Sequence, residues 1–195
     1  MNMYQREISK EEVEQLDLIQ YEGPIEVIGT EEAFEAAIGQ IRSNPVLGFD
    51  TETRPSFKKG LVYPTSMIQL ATADRAWLLR VSKLGYPSAL LDLLSSDQVL
   101  KVGTGLNDDI RRMRSDFHFE PQGFLDLQRY VEAFQIDEKG LKKMSAIVLG
   151  RRISKSQQVS NWDADQLSEA QLRYAATDAW ICLEIYHALR KSIAI

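Results

Sequence analysis

Two hydrophobic periods alternate along this chain, and the switches between them outline its elements. Ile25 to Ile28 reads as a short edge strand. Phe34, Ala37, Ile38 and Ile41 then recur at helical spacing, which predicts a helix over 31–41 with Thr30 as its N-cap. Asn44-Pro45 breaks the chain. The run Val46-Leu47-Gly48-Phe49 begins as the near-continuous apolar stretch of a strand buried on both faces. It ends in Asp50-Thr51-Glu52. Arg54 to Pro64, rich in Pro, Gly and Lys, predicts a loop. Two apolar runs over 67–72 and 76–81, joined by Ala73-Asp74-Arg75, predict a hairpin.

The second half shifts toward helix. A helix over 86–95 precedes a buried strand over 99–103, then Gly105 and a helix through Arg114, with Ile110, Met113 and Phe117 toward the core. A short strand over 124–127 follows. Helices are predicted over 127–136, 141–149 and 168–190, the last opened by the capping-box pattern Ser168-Glu169-Ala170-Gln171. Ser9-Lys10-Glu11-Glu12 carries the same pattern near the start. Residues 1–24 read as an acidic N-terminal extension closed by Gly23-Pro24, and 25–195 as the functional domain. Strands followed by helices, with one hairpin, predict an α/β fold: a mixed β-sheet with helices on both faces. Sites in such sheets form at the carboxyl ends of strands, near a topological switch point.

The acids at the end of the 46–52 strand lie at such a place. A strand alternates its side chains with period two, so Asp50 and Glu52 share a face. Adjacent carboxylates raise each other's pKa unless a cation sits between them. A hard divalent metal supplies that cation. Two acids marking a strand's exit into solvent fit this stretch equally well. Cys182 is the sole cysteine, so no intramolecular disulfide and no cysteine-based zinc site forms.

Gly103-Thr104-Gly105 at a helix start lacks a third glycine, because Asp108 stands there, and two acids would face a pyrophosphate. A dinucleotide site is excluded. Asp108 reads as a solvated acid favoured by the helix dipole, on a solvated face shared with Arg112. Asp109, stacked with Met113 four residues on, turns inward. Tyr174 and Asp178 are also four apart and share a helix face among small and apolar neighbours. An aspartate in that company is costly to bury unless hydrogen-bonded or metal-bound.

In order, these are Gly48-Phe49-Asp50-Thr51-Glu52, Met67-Ile68-Gln69-Leu70-Ala71, Val102-Gly103-x-Gly105 with Asp109, Ser160-Asn161-Trp162, and Tyr174-Ala175-Ala176-Thr177-Asp178-Ala179. This set resembles the DEDD superfamily of 3′-to-5′ exonucleases, in its tyrosine-bearing branch with ribonuclease D and the Werner helicase exonuclease domain. The resemblance runs from about residue 25 to 190 and implies a ribonuclease H-like fold. It implies hydrolysis of DNA or RNA from the 3′ end to nucleoside 5′-monophosphates, with two Mg²⁺ or Mn²⁺ ions. Asp50 would bridge the metals, Glu52 and Asp178 would hold the one carrying the attacking water, and Asp109 would support the second. Tyr174 would orient the water. Relatives often carry a bulky aromatic after the first glutamate, where this chain has Thr53. The bottom-up chemistry agrees, since two metals about 3.5–4 Å apart stabilise both the attacking and the leaving oxygen.

Charge decides how a chain of net −5 could meet nucleic acid. Residues 1–40 carry −8 and residues 41–195 carry +3. From Lys139 to Trp162 there are six bases and no acid: Lys139, Lys142, Lys143, Arg151, Arg152 and Lys155. Lys142, Lys143, Arg151 and Arg152, with Arg54, Lys58 and Lys59 beyond the acidic strand, are the candidate substrate contacts. A solvated helix face fits each of the 139–155 bases as well. Trp162 reads as a packing residue. The expected partner is a single-stranded or 3′-ended nucleic acid, with no membrane. The absence of a signal-peptide pattern points to the cytoplasm. A non-catalytic nucleic-acid-binding module and a small phosphate-ester hydrolase are the competing readings.

Overall fold

The computed structural model of the chain describes residues 4–58 and 60–193. Lys59, one of the candidate substrate contacts, lies outside the described residues. The strands are β1 (Ile25–Ile28), β2 (Val46–Thr53), β3 (Thr65–Ala71), β4 (Ala76–Leu79), β5 (Leu100–Gly103) and β6 (Phe124–Asp126). They form one sheet in the order β1-β4-β3-β2-β5-β6. β3 runs antiparallel to β2 and β4, and the other pairings are parallel. This is the mixed α/β sheet expected from the sequence, with β1 at an edge and β2 inside.

Helices α1 (Lys10–Gln15), α2 (Glu31–Arg42), α3 (Val81–Leu84), α4 (Ser88–Leu94), α5 (Leu106–Asp116), α6 (Leu127–Tyr130), α7 (Leu141–Leu149) and α8 (Glu169–Ile193) cover both faces. The period-two rule sorts the strands cleanly. Leu47, Phe49, Ile68, Leu70, Trp77 and Leu79 pack with Phe34 and Ile41 of α2, Leu90 and Leu93 of α4 and Met113 of α5. The alternate residues Met67, Ala71 and Leu78 meet Ala175, Ala176 and Ala179 of α8. Both capping boxes form: Ser9 with Glu12, and Ser168 with Gln171. Thr30 accepts from the Ala33 amide as the N-cap of α2.

Three local expectations differ. Val81 opens the short helix α3 instead of ending the hairpin strand. The helix over 127–136 is α6 followed by a 3₁₀ turn, Val131–Phe134, that ends where Gln135 takes φ 60°. Leu127 and Val131, four residues apart and so on one face, are both fully buried. Phe117 is 46% exposed. The backbone turns extended there as α5 ends, and the ring stacks on Tyr86 instead of entering the core.

Two buried features fix the geometry. Lys101 is fully buried, and its ammonium donates to the Leu93 and Ser96 carbonyls at 2.9 and 2.7 Å, closing the end of α4. Desolvation pulls its pKa down to about 8. Gly48 lies where β2 meets α8: a Cβ there would sit 2.0 Å from the Ala179 carbonyl oxygen and 2.8 Å from its carbon. Only a residue without a side chain lets helix and strand backbones touch this closely. Gly48→Ala is therefore expected to destabilise the fold by about 1–3 kcal/mol, as overpacking does. A urea midpoint unchanged from the wild type would show that α8 can retreat at no cost.

Candidate active site

β2 divides its end between two faces. Gly48 faces α8, so Asp50 and Glu52, two and four residues on, face α8 as well. Ala175, Ala176 and Ala179 keep α8 low against the sheet, which brings Asp178 down to them. Asp50, Glu52 and Asp178 each offer a carboxylate oxygen, and those oxygens all lie within 4.8 Å of one another. A group this close could hold a metal ion. Each donor is a carboxylate oxygen, the set that suits hard divalent cations.

Thr51 points to the opposite face. Its hydroxyl donates to Asp109 of α5 at 2.6 Å. Asp109 thus reaches the strand end from the helix layer on the other side and stands outside the tight three-acid group. Gly105, with φ +68°, begins α5 in the left-handed conformation, and Asp126 accepts from the Gly105 and Leu106 amides. Those bonds set the rotation of the helix. Asp108 lies one residue earlier, exposed and paired to Arg111 at 2.9 Å. Arg112 does not share that solvated face, contrary to its sequence reading: it is half-buried and donates to the Thr53 hydroxyl at 2.6 Å.

The acids have little positive charge around them. Burial raises Asp50 well above the carboxylate range, and Asp178 and Asp109 add to the effect. Burial, then the charges of Asp50, Asp178 and Asp109, push Glu52 up to about 10. Burial raises Asp178 to about 7, with the Tyr174 hydroxyl and the charge of Lys155 drawing it back. Burial raises Asp109, while the Thr51 hydroxyl and Arg112 oppose the shift. Tyr174 is raised by burial and by Asp178 and Glu52, so it keeps its proton and acts as a donor. Trp162 is buried and packs against the Tyr174 ring, centroids 6.0 Å apart.

Asp50, Thr51, Glu52, Tyr174 and Asp178 line a cleft of about 270 Å³ with Thr104, Leu141, Lys142, Ile153, Ser154, Lys155 and Gln158, while Asp109 stands behind Thr51 and outside that lining. Beside it, a cavity of about 360 Å³ is lined by Arg54, Pro55, Phe57, Lys58, Leu61, Tyr63, Val159 and Asn161. The Arg54 guanidinium lies over the Tyr63 ring at 4.9 Å.

The bases from Lys142 to Arg152 are committed elsewhere. Lys142 lines the cleft, but its ammonium pairs with Glu14. Lys143 pairs with Glu138 at 2.6 Å and Arg151 with Asp17 at 3.0 Å. Arg152 donates to the Leu16 carbonyl at 2.9 Å, and its backbone bridges Leu18. Lys143, Arg151 and Arg152 do not line the cleft. The acidic lead-in is what holds most of these bases, with Ile8 and Val13 of its own buried against Ala146. No sequence pattern marked that pairing. Thr51 was also passed over, although its place between two acids on an alternating strand sends it to the opposite face.

A family model described as a 3′-5′ exonuclease matches residues 25–194. The chain belongs to the 3′-5′ exonuclease family. It is 34% identical over 160 residues to the human exonuclease 3′-5′ domain-containing protein 2, covering 75% of this chain and 25% of that protein. The Aedes aegypti Nibbler EXO domain superposes with a TM-score of 0.79 at 29% identity, covering 91% of this chain and 92% of that one. Escherichia coli RNase D shares the fold, with a TM-score of 0.72 at 24% identity over 87% of this chain and 45% of that one. The ribonuclease H-like fold and the family resemblance read from the motifs are both borne out. The chain spans about a quarter of the length of the curated relatives it matches.

The raised acids make stability pH-dependent. A carboxyl whose folded pKa lies above its unfolded value keeps its proton in the folded state, so stability falls as pH rises between the two values. For Asp178 and Glu52 the fall begins near the unfolded carboxylate range and runs to about 7 and about 10. The metal-free protein should therefore melt lower at pH 9 than at pH 5, and saturating Mg²⁺ should flatten the dependence. Asp50→Asn should raise the metal-free melting temperature at pH 8. A pH-independent melt without metal would contradict the crowding of these acids.

Proposed function

We propose that the protein is a two-metal 3′-5′ exonuclease that removes nucleoside 5′-monophosphates from the 3′ end of DNA or RNA in the cytoplasm, with residues 25–195 as its catalytic unit. The observation that carries this reading is the meeting of Asp50, Glu52 and Asp178 within 4.8 Å in an open cleft of a 3′-5′ exonuclease family fold.

Asp50 would bind both ions, Glu52 and Asp178 one of them, and Asp109 the second from across the strand. When bound, two Mg²⁺ or Mn²⁺ ions supply a nucleophile at neutral pH and charge neutralisation at the leaving oxygen. Tyr174, protonated and next to Asp178, would orient the attacking water through its hydroxyl. Thr51 holds Asp109 in place, and Arg112 ties α5 to Thr53 at the end of β2. Arg54 and Lys58 line the cavity next to the cleft, a position suited to the strand leading to the cut phosphate. The four bases of the 142–152 stretch, three held by acids and Arg152 by the Leu16 carbonyl, are structural in this reading. The open cavity beside the cleft favours a polymer over a small phosphate ester.

Labelled single-stranded DNA, single-stranded RNA and recessed duplex should be shortened stepwise from the 3′ end with Mg²⁺ or Mn²⁺. Chelation should abolish the ladder and metal restore it, and Asp50→Ala should be inactive while folded. Activity that survives thorough chelation would overturn the two-metal reading.

The helix register predicts a contrast within the aspartate pair. Asp109→Asn is expected to slow turnover by at least about 10²-fold, the scale of losing one charge-stabilising group. Asp108→Asn should leave turnover near the wild type. A dead Asp108→Asn beside an active Asp109→Asn, both folded by circular dichroism, would refute this assignment.

A further inference from the structure

Six bases lie between Lys139 and Lys155, and five of them are already engaged. Lys139 pairs with Glu132 at 2.7 Å. Lys142, Lys143 and Arg151 pair with Glu14, Glu138 and Asp17, and Arg152 donates to the Leu16 carbonyl. Lys155 is the exception. Among the described residues it forms no side-chain hydrogen bond and no ion pair, and it lines the same cleft as Asp50, Glu52, Tyr174 and Asp178. Its charge is felt at Asp178.

The backbone that presents Lys155 is pinned, although its side chain is not. Ile153, two residues earlier, is buried in the cluster beside α8. The Ser156 amide donates to the Ser154 hydroxyl oxygen, and the two serine hydroxyls are hydrogen-bonded at 3.0 Å, so a tight turn closes around Lys155. The Gln158 amide donates to the Lys155 carbonyl at 3.3 Å. A fixed Cα and a free ammonium at the mouth of an acid-lined cleft are what a mobile anionic substrate group requires. A lysine kept only to neutralise the acids would be expected to lie in direct contact with one.

We propose that Lys155 is a catalytic residue that donates a hydrogen bond from its ammonium to a non-bridging oxygen of the scissile phosphodiester. This rests on the exonuclease reading above. During hydrolysis the water oxygen forms a bond to phosphorus as the phosphorus–O3′ bond breaks, and the O3′ leaves with a proton. The non-bridging oxygens gain negative charge on the way. The Lys155 ammonium transfers no proton in this step and offsets that charge, so its effect is larger in the transition state than in the bound substrate.

The test is single-turnover cleavage of a labelled single-stranded oligonucleotide at saturating protein, using Lys155→Ala, Lys155→Gln and Lys155→Arg. Substrate affinity and its salt dependence are measured in parallel, in chelator. The expected result is a loss of ~10²-fold in the saturating rate for Lys155→Ala and Lys155→Gln, with much of it restored in Lys155→Arg. Affinity should change little, and the log–log salt slope should fall by no more than about 0.7, the share of one phosphate on a single strand. Arg151→Ala, whose guanidinium is held by Asp17, should keep the wild-type rate. A saturating rate within threefold of the wild type in Lys155→Ala overturns the proposal. So does a loss confined to affinity, which would make Lys155 a binding contact only. Circular dichroism checks that each variant is folded. An inactive wild-type protein would count against the exonuclease reading itself, an outcome distinct from either result for Lys155.

Discussion

Carboxylates gathered out of water repel one another, and much of this fold is arranged to hold them together regardless. Asp50, Glu52 and Asp178 each sit on a rigid element, and desolvation drives all three toward protonation, with repulsion from neighbouring carboxylates adding to it at Asp50 and Glu52. The structure resists with backbone contact instead of local countercharge. Gly48 lets β2 and α8 touch, the alanines of α8 lie flat on β3 and β4, and Trp162 backs Tyr174. The cluster is therefore poised to accept a cation, because a bound divalent ion relieves a repulsion that the packing already withstands.

Much of this was legible in the chain. The two periodicities gave the strands and most helices, since apolar faces must be buried in any fold this sequence adopts. Alternation alone put Asp50 and Glu52 on one face, and helical spacing turned Asp109 inward and left Asp108 out. What could not be read was long-range. Arg112 looked solvent-facing because its partner, Thr53, lies on a distant strand. Phe117 looked like core because periodicity does not say that a helix stops at Asp116. The exposed bases of 139–155 looked available because nothing local shows that Glu14 and Asp17 come back to meet them.

That last point bears on how charge is counted. The −8 of the first 40 residues and the basic stretch after Lys139 look like separate properties of the sequence. In the folded chain they largely cancel where they touch, with Ile8 and Val13 anchoring the contact. Among the described residues, the cationic surface left beside the cleft is much smaller than the sequence suggests, and it comes from Arg54, Lys58 and Lys155.

The three clustered acids come from two widely separated parts of the chain, β2 and the last helix. Pairing of β2 with β3 and β5 can complete the sheet, but it cannot complete the acid group. Contacts between such distant segments carry a high loop-closure cost and tend to form late in folding. A chain emerging from the ribosome would therefore present a finished sheet before it had a cluster able to bind metal. The docking of α8 is the step that assembles the site, so the chain gathers its three carboxylates only after the sheet that carries two of them is already built.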